Sequence, residues 1–194
     1  MPTTKLTTAF ALFDAANAKD PNIEIVNGQP IAKELIYGQR MSQTLSNFTS
    51  NASEALQLAA RAQHICRWEI PREDYPMDRV GYLKWRAELK KFHADKTAEI
   101  LNEVGYDRET IDRVSFLIQK KKLKKDEDTQ TLEDVICLVF LEFYYPEFYE
   151  KHTSEKVIDI LQKTWKKMSD EGRKAALTLS YPEKGLDLIQ KAIA

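Results

Sequence analysis

The sequence predicts an all-α protein, a single-domain helical bundle of about seven or eight helices. Glycine and proline are sparse, with 6 and 7 residues in a chain of 194, and 43% of the residues are hydrophobic. This composition suits helices better than strands joined by tight turns. We expect one domain over residues 1–194, with a core at about 30–145 and closing helices at 146–194.

Breaking and capping residues define the first three predicted helices. TTAFALFDAANA forms the first and stops at the Asp20–Pro21 step, because proline disfavours helix in the residue before it. After an extended link, a second helix begins at Pro30 and carries apolar residues at helical spacing to Leu45. The segment from Asn51 to Glu54 resembles a capping box and predicts a third helix that runs to about Trp68.

The later helices follow from similar signals. VGYLKWRAELKKFHADKTAEILNEVG keeps helical period up to Gly105, and Asp107 can cap the next helix. KKKLKKDED is typical of a solvated helix end. Thr131 followed by Asp134 resembles a capping box for LEDVICLVFLEFYY, which is apolar on nearly every side and predicts a central buried helix. Shorter helices around SEKVIDILQKTWKKM, EGRKAALTL and KGLDLIQKAIA close the chain.

Charge and cysteine content limit the classes of partner. Lys and Arg number 29 against 30 Asp and Glu, a net charge of -1, so we expect no nucleic-acid partner and only a local anion site. Cys66 and Cys137 lack metal-knuckle spacing and predict reduced, packed thiols. No stretch reaches the ~20 apolar residues of a membrane span, and the N-terminus lacks a secretory signal. These features predict a cytoplasmic protein without a membrane partner, and they leave its oligomeric state open.

Helical periodicity places two polar side chains of the fourth helix on its apolar face. Arg86 and His93 align there with Tyr82, Leu89 and the apolar residues that follow. A buried, unpaired guanidinium is costly, so Arg86 requires either a carboxylate partner in a structural ion pair or a wet pocket that holds an anion. Both alternatives stay open at this point.

His64 and Asp134 also have two interpretations each. His64 lies opposite the apolar face of the third helix, which is either a solvated face or one covered by a second wall that packs on Trp68. Asp134, with Glu133, enters the apolar helix in its predicted first turn. It is either a helix-dipole cap or a partner for Arg86 or for a metal ion.

The turn between the two histidine helices is rich in basic and aromatic residues. We expect it to bind a phosphorylated small molecule, with the arginines paired to nearby acids as the structural alternative. The expected ligand-binding residues there are Arg67, Trp68, Arg72, Arg79, Arg86 and Lys90.

Four sequence features resemble the HD-domain metal-dependent phosphohydrolases. They are the Tyr37–Arg40 step, His64, His93 in FHADKTAEIL, and Asp134 in TLEDV. The resemblance covers residues 30–145 and implies an all-α fold that holds a divalent metal, such as manganese, iron, nickel or zinc. His64 and Asp134 would be its ligands, with His93 as a possible third.

Two positions depart from that pattern. Arg40 stands where the first histidine of the family is expected, and Ile65 follows His64 where the family has aspartate. An arginine in place of a neutral ligand is suited to phosphate or carboxylate rather than to a cation. Arg40 therefore argues against metal at that position.

The stretch RAQHICRWEIPR, with the YP, GYLKWR and FHA segments after it, is similar over nearly the whole chain to a bacterial and fungal family of unknown function. Some members of that family are labelled glutamyl-tRNA synthetase. We discount that label, because the chain lacks the nucleotide-binding motifs of such enzymes.

Three functions follow from these features. The first is a site for an anionic small molecule, such as a nucleotide or sugar phosphate, in which His64 or His93 would act as general acid or base if a reaction occurs. The second is a divalent-metal-dependent phosphohydrolase that uses His64 and Asp134. The third is an RNA- or protein-interaction module that uses KKKLKK. The expected lining of the small-molecule site is Arg40, His64, Arg67, Arg86, His93 and Asp134.

Overall fold

The computed structural model of the protein describes residues 4–194 and confirms the all-α class. Ten α-helices occur in that range, somewhat more than predicted. They are α1 (Thr4–Asn17), α2 (Lys33–Phe48), α3 (Glu54–Arg61), α4 (Arg79–Val104), α5 (Arg108–Ile118), α6 (Glu127–Val139), α7 (Tyr145–Lys151), α8 (Ser154–Lys167), α9 (Asp170–Thr178) and α10 (Glu183–Ile193).

The chain falls into two compact units, one ending at Lys121 and the other starting at Lys122. The first contains α1 to α5 and a short hairpin, and the second contains α6 to α10. The single domain predicted for residues 1–194, with its core at 30–145, stays a prediction.

The extended link after α1 is an antiparallel hairpin of β1 (Ile23–Val26) and β2 (Gln29–Ala32). Asn27 and Gly28 form its turn with φ of 51° and 77°, the left-handed pair that a two-residue hairpin turn requires. The second helix therefore begins at Lys33 rather than at the predicted Pro30, which pairs with Ile25 in the sheet.

The prediction that the third helix runs to Trp68 is wrong. α3 ends at Arg61, and turns lead into short 3-10 helices at Arg67–Glu69 and Arg72–Asp74. Cys66 has a left-handed φ of 51°, and its backbone N–H donates to Oδ1 of Asn17 at 2.9 Å. This contact with α1, far away in sequence, stabilises a chain reversal that a periodicity argument cannot detect.

The fourth helix matches its predicted bounds, with Asp78 as N-cap and Gly105 as a left-handed C-cap. His93 is buried as predicted. The apolar face is rotated near the N-terminus, because Trp85 is buried whereas Tyr82 is 47% exposed. Arg86 is consequently half-buried rather than fully inward.

In the second unit, the capping box predicted at Thr131 is wrong. Asp126 caps α6 by accepting from the backbone N–H of Thr129 at 2.9 Å. Asp134 therefore lies in the middle of the helix instead of its first turn. A π-helical turn at Phe140–Tyr144 separates α6 from α7 and divides the predicted central helix in two.

Candidate functional site

Five side chains of the first unit form a polar group that we call the His–Arg cluster. They come from α2, from the turns after α3, and from α4. The members are Glu34, His64, Arg67, Arg86 and His93.

Glu34 is fixed in place at the start of α2. Its backbone N–H donates to Oδ2 of Asp20 at 3.0 Å, and its carbonyl accepts from Nδ2 of Asn17 at 3.3 Å. Glu34 is only 6% exposed. Helix α2 therefore begins in one position, with a carboxyl group pointing away from solvent.

His64 lies between Glu34 and Arg67. Its Nδ1 is 3.3 Å from Oε2 of Glu34, and its Nε2 is 3.5 Å from Nη1 of Arg67. Because a guanidinium can only donate, we assign the ring hydrogen to Nδ1 and the lone pair to Nε2. Tyr37 stacks on the ring with centroids 4.0 Å apart and planes at 9°, which fixes the orientation of the imidazole.

Arg67 connects the cluster to the aromatic core of the turn region. Its Nε lies 3.9 Å from Oε1 of Glu34, and its guanidinium is 4.8 Å from the ring centroid of Trp85. Trp85 in turn donates from Nε1 to the carbonyl of Ile70 at 2.9 Å. A loose ion pair and a cation–π contact therefore hold a positive charge that stays 23% exposed.

His93 presents an unused acceptor. Its Nδ1 lies 2.8 Å from the carbonyl of Ile65, which can only accept, so the ring hydrogen is on Nδ1 and the lone pair is on Nε2. Among residues 4–194, no donor hydrogen-bonds to that Nε2, nor to Oε2 of Glu34. The ring centroid of His93 is 5.9 Å from that of His64, so the two imidazoles are neighbours in the cluster.

Arg86 adds a second guanidinium, two turns before His93 on α4. Its charge contributes to the lowered pKa of both histidines and of Arg67. It is half-buried. Within the described chain, no hydrogen bond or ion pair engages its guanidinium.

Burial and the charge of Arg67 shift the pKa values of Glu34, His64 and His93. Burial lowers the pKa of His93 to about 3, and burial with Arg67 holds the pKa of His64 well below its usual range. Burial, opposed by Arg67, raises the pKa of Glu34 from 4.5 to about 7. At neutral pH the cluster thus contains two guanidinium ions, two neutral imidazoles and one partly ionised carboxyl group. Its net charge is positive.

Other predicted ligand-binding residues lie outside the cluster. Arg40 is paired with Glu24 of the hairpin at 2.6 Å. Arg72 donates to the carbonyls of Tyr75, Pro76 and Asp78 at 3.0, 2.7 and 3.3 Å, which satisfies the turn itself. Trp68 is half-buried in a 3-10 helix, Lys90 is half-buried on α4, and Arg79 is exposed in the first turn of α4.

Asp134, the predicted metal ligand, lies in the second unit, where its carboxylate accepts two hydrogen bonds from Ser169. Its Oδ1 accepts from the backbone N–H of Ser169 at 2.8 Å, and its Oδ2 accepts from the hydroxyl of Ser169 at 2.6 Å. Among residues 4–194, no group of three or more His, Cys, Asp or Glu side chains is arranged to hold a metal ion. The His64–Asp134 metal site therefore stays a prediction.

Sequence reasoning missed Glu34 and Tyr37 as members of the site. Both share the buried stripe of α2 with Met41 and Leu45, at spacings of three, seven and eleven residues from Glu34. An acid on an apolar stripe is the signal that could have identified Glu34, as the same signal identified Arg86 and His93 on α4.

The fold and the cluster together define an all-α protein with a positively charged histidine–arginine site. The chain belongs to the family described as a domain of unknown function (DUF4202), whose model matches residues 7–189. This confirms the predicted membership of a family of unknown function. The comparisons give no support to the HD-domain relationship or to the synthetase labels. No curated protein and no solved structure matches the chain.

The described helices also bear on the predicted lack of a membrane partner. Between residues 4 and 194, none of them combines the length and the apolar character that crossing a bilayer requires.

Proposed function

We propose that the protein binds an anionic small molecule, carrying a phosphoryl or carboxylate group, at the His–Arg cluster. The observation that supports this proposal is the guanidinium of Arg86, half-buried and engaged by no hydrogen bond or ion pair among residues 4–194. A guanidinium in such a position favours a bidentate anion as its partner.

A structural ion pair accounts for this arrangement less well. Glu34 is the acid that meets His64 and Arg67, and its carboxylate oxygen is still 3.9 Å from Nε of Arg67. With a pKa of about 7, Glu34 is only partly ionised at neutral pH. One partly ionised carboxyl group cannot balance the charge of two guanidinium ions, and a bound anion would balance the remainder.

The aromatic contacts of the cluster favour a sugar phosphate as the ligand over a nucleotide whose base would stack on a ring. The ring of Trp85 is already covered by Arg67 at 4.8 Å and approached by Arg72 at 5.9 Å, and Tyr37 stacks on His64. These rings are therefore not free platforms for a base. Sugar phosphates fit the cluster better.

The cluster is better suited to binding than to histidine catalysis. A general base works best with a pKa near the working pH, whereas the pKa of His93 is about 3. Glu34 is the member with a suitable pKa. The metal-dependent phosphohydrolase and the KKKLKK interaction module have no comparable geometric support in residues 4–194.

Isothermal titration of the whole chain with inorganic phosphate, glucose 6-phosphate and citrate at low salt tests the proposal. We expect binding by the wild type and a loss of about tenfold or more in Arg86→Gln, because a charged hydrogen bond contributes roughly 1.5–3 kcal/mol. Arg79→Gln, which removes the same charge from an exposed position on α4, is the matched control and should bind like the wild type. Equal affinity in all three proteins, or no binding of any anion, contradicts the proposal.

A further inference from the structure

His93 is committed to one tautomer by its backbone partner. The carbonyl of Ile65 lies 2.8 Å from Nδ1 and requires a hydrogen there. Because burial lowers the pKa of His93 to about 3, the ring is neutral at neutral pH and Nε2 is an acceptor. A chloride or sulfate ion, which has no hydrogen to donate, cannot satisfy it.

This acceptor is also shielded from bulk water. His93 is 2% exposed, and within the described residues its Nε2 has no hydrogen-bond partner. Oε2 of Glu34 differs, because Nδ1 of His64 lies 3.3 Å from it without a hydrogen bond of good geometry. An unsatisfied buried acceptor costs about 1–3 kcal/mol, so Nε2 of His93 indicates that a donor belongs beside it.

The arginines of the cluster do not supply that donor. Nη1 of Arg67 faces Nε2 of His64, and Arg86 makes no hydrogen bond to Nε2 of His93. Within residues 4–194 no other donor hydrogen-bonds to this atom, so a bound molecule is the partner that we infer. A ligand that suits the cluster carries a negative charge for the two guanidinium groups. It also carries a hydrogen that it can donate to His93.

We propose that the cluster selects anions that carry a hydroxyl hydrogen, with Nε2 of His93 accepting that hydrogen while Arg67 and Arg86 bind the charge. Hydrogen phosphate and hydroxylated sugar phosphates or hydroxy acids belong to this class. The inference rests on the proposed anion site and deepens it. His64 and Arg67, with side chains 20% and 23% exposed, are partly solvent-exposed members of the cluster.

Inorganic phosphate and sulfate provide a closely matched test. At about pH 8 both are tetrahedral dianions, and phosphate retains one P–OH hydrogen whereas sulfate has none. Titration calorimetry of the wild-type chain with each ion should give a phosphate affinity at least about tenfold higher, since one charge-assisted hydrogen bond is worth that much. Equal affinities would overturn the hydroxyl requirement and leave the anion site standing. Failure of both ions to bind would overturn both.

A variant assigns the preference to His93. His93→Phe keeps a planar ring but removes the acceptor, so phosphate affinity should fall to that of sulfate while sulfate affinity stays the same. Retention of the phosphate preference in this variant would overturn the assignment. If the variant does not fold, the wild-type affinity ratio still decides the hydroxyl requirement. His152→Phe, in the second unit, should keep the wild-type ratio.

Discussion

At the scale of single residues, Glu34 shows how burial shifts the pKa of a carboxyl group. Its carboxyl group is buried near Asp20, and together these raise its pKa from 4.5 to about 7 in spite of Arg67. The folded protein therefore retains a proton that the unfolded chain releases near pH 4.5. Between these two pKa values the folded state binds more protons, so its stability falls as the pH rises through this window.

Glu34→Gln should abolish this part of the pH dependence. The difference between 4.5 and about 7 corresponds to roughly 3 kcal/mol. Relative to the wild type, the variant should therefore gain about 3 kcal/mol in the free energy of unfolding between about pH 4 and about pH 8. Urea denaturation at the two pH values measures this gain.

Glu103→Gln, an exposed substitution on α4, is the control for removing one glutamate. It should follow the pH dependence of the wild type. A constant difference in stability between Glu34→Gln and the wild type at both pH values would contradict the burial of a titrating carboxyl group at Glu34.

At the scale of elements, Gly38 determines how closely α2 packs on the end of α3. A Cβ at this position would lie 2.8 Å from the carbonyl oxygen of Arg61, closer than backbone atoms tolerate. The approach matters for the site, because Glu34 and Tyr37 on α2 meet His64 just beyond α3.

Gly38→Ala should destabilise the protein by about 1–3 kcal/mol, as expected of overpacking. The sign is informative, since alanine in an unconstrained helix would instead stabilise by up to about 1 kcal/mol. Urea denaturation beside Ser46→Ala, an exposed position on α2, measures the effect. A stabilised Gly38→Ala protein would show that α2 and α3 pack less closely.

In the second unit, Ser169 and Asp134 fix the start of α9. The hydroxyl of Ser169 accepts from the backbone N–H of Gly172 at 3.0 Å and donates to Asp134 at 2.6 Å. We expect Ser169→Ala to lower the free energy of unfolding by about 2 kcal/mol, because it removes a cap and leaves a buried carboxylate oxygen with one donor fewer. Ser180→Ala, at an exposed position, should be near neutral, and equal stability of the two variants would contradict the capping role.

The elements that the sequence predicted well are those with local determinants. Helix α4 has its own caps at Asp78 and Gly105, and α5 has its cap at Asp107. The end of α3 was missed because Cys66 is held by Asn17, a contact across 49 positions of sequence. Of the candidate site, periodicity identified His93 and Arg86. Glu34 was missed because an acid near a helix start is ordinarily a solvated residue.

For the whole molecule, a net charge of -1 means that any anion affinity comes from local charges rather than from the general field. Exposed charges farther than about 10 Å from a site are largely screened at 0.1 M salt. Lysines 121, 122, 124 and 125 are exposed, so salt screens their charges more than that of the half-buried Arg86.

Neutralising these four lysines to glutamine should therefore leave the phosphate affinity within about twofold of the wild type at roughly 0.1 M salt. Lys120 is left unchanged, because its charge lowers the pKa of His64. Titration calorimetry beside Arg86→Gln provides the comparison. A larger loss in the lysine variant than in Arg86→Gln would move the anion site from the His–Arg cluster to the lysine segment.

The most direct test of the His–Arg cluster as an anion site is a histidine side-chain 15N–1H correlation spectrum of the whole chain, recorded with and without inorganic phosphate. The chain has 3 histidines, and His152 in the second unit is an internal control. We expect His93 to be neutral with its hydrogen on Nδ1, and saturating phosphate to shift its Nε2 resonance and those of His64 while His152 stays unchanged. Unchanged His64 and His93 resonances at saturating phosphate would contradict an anion site at the cluster.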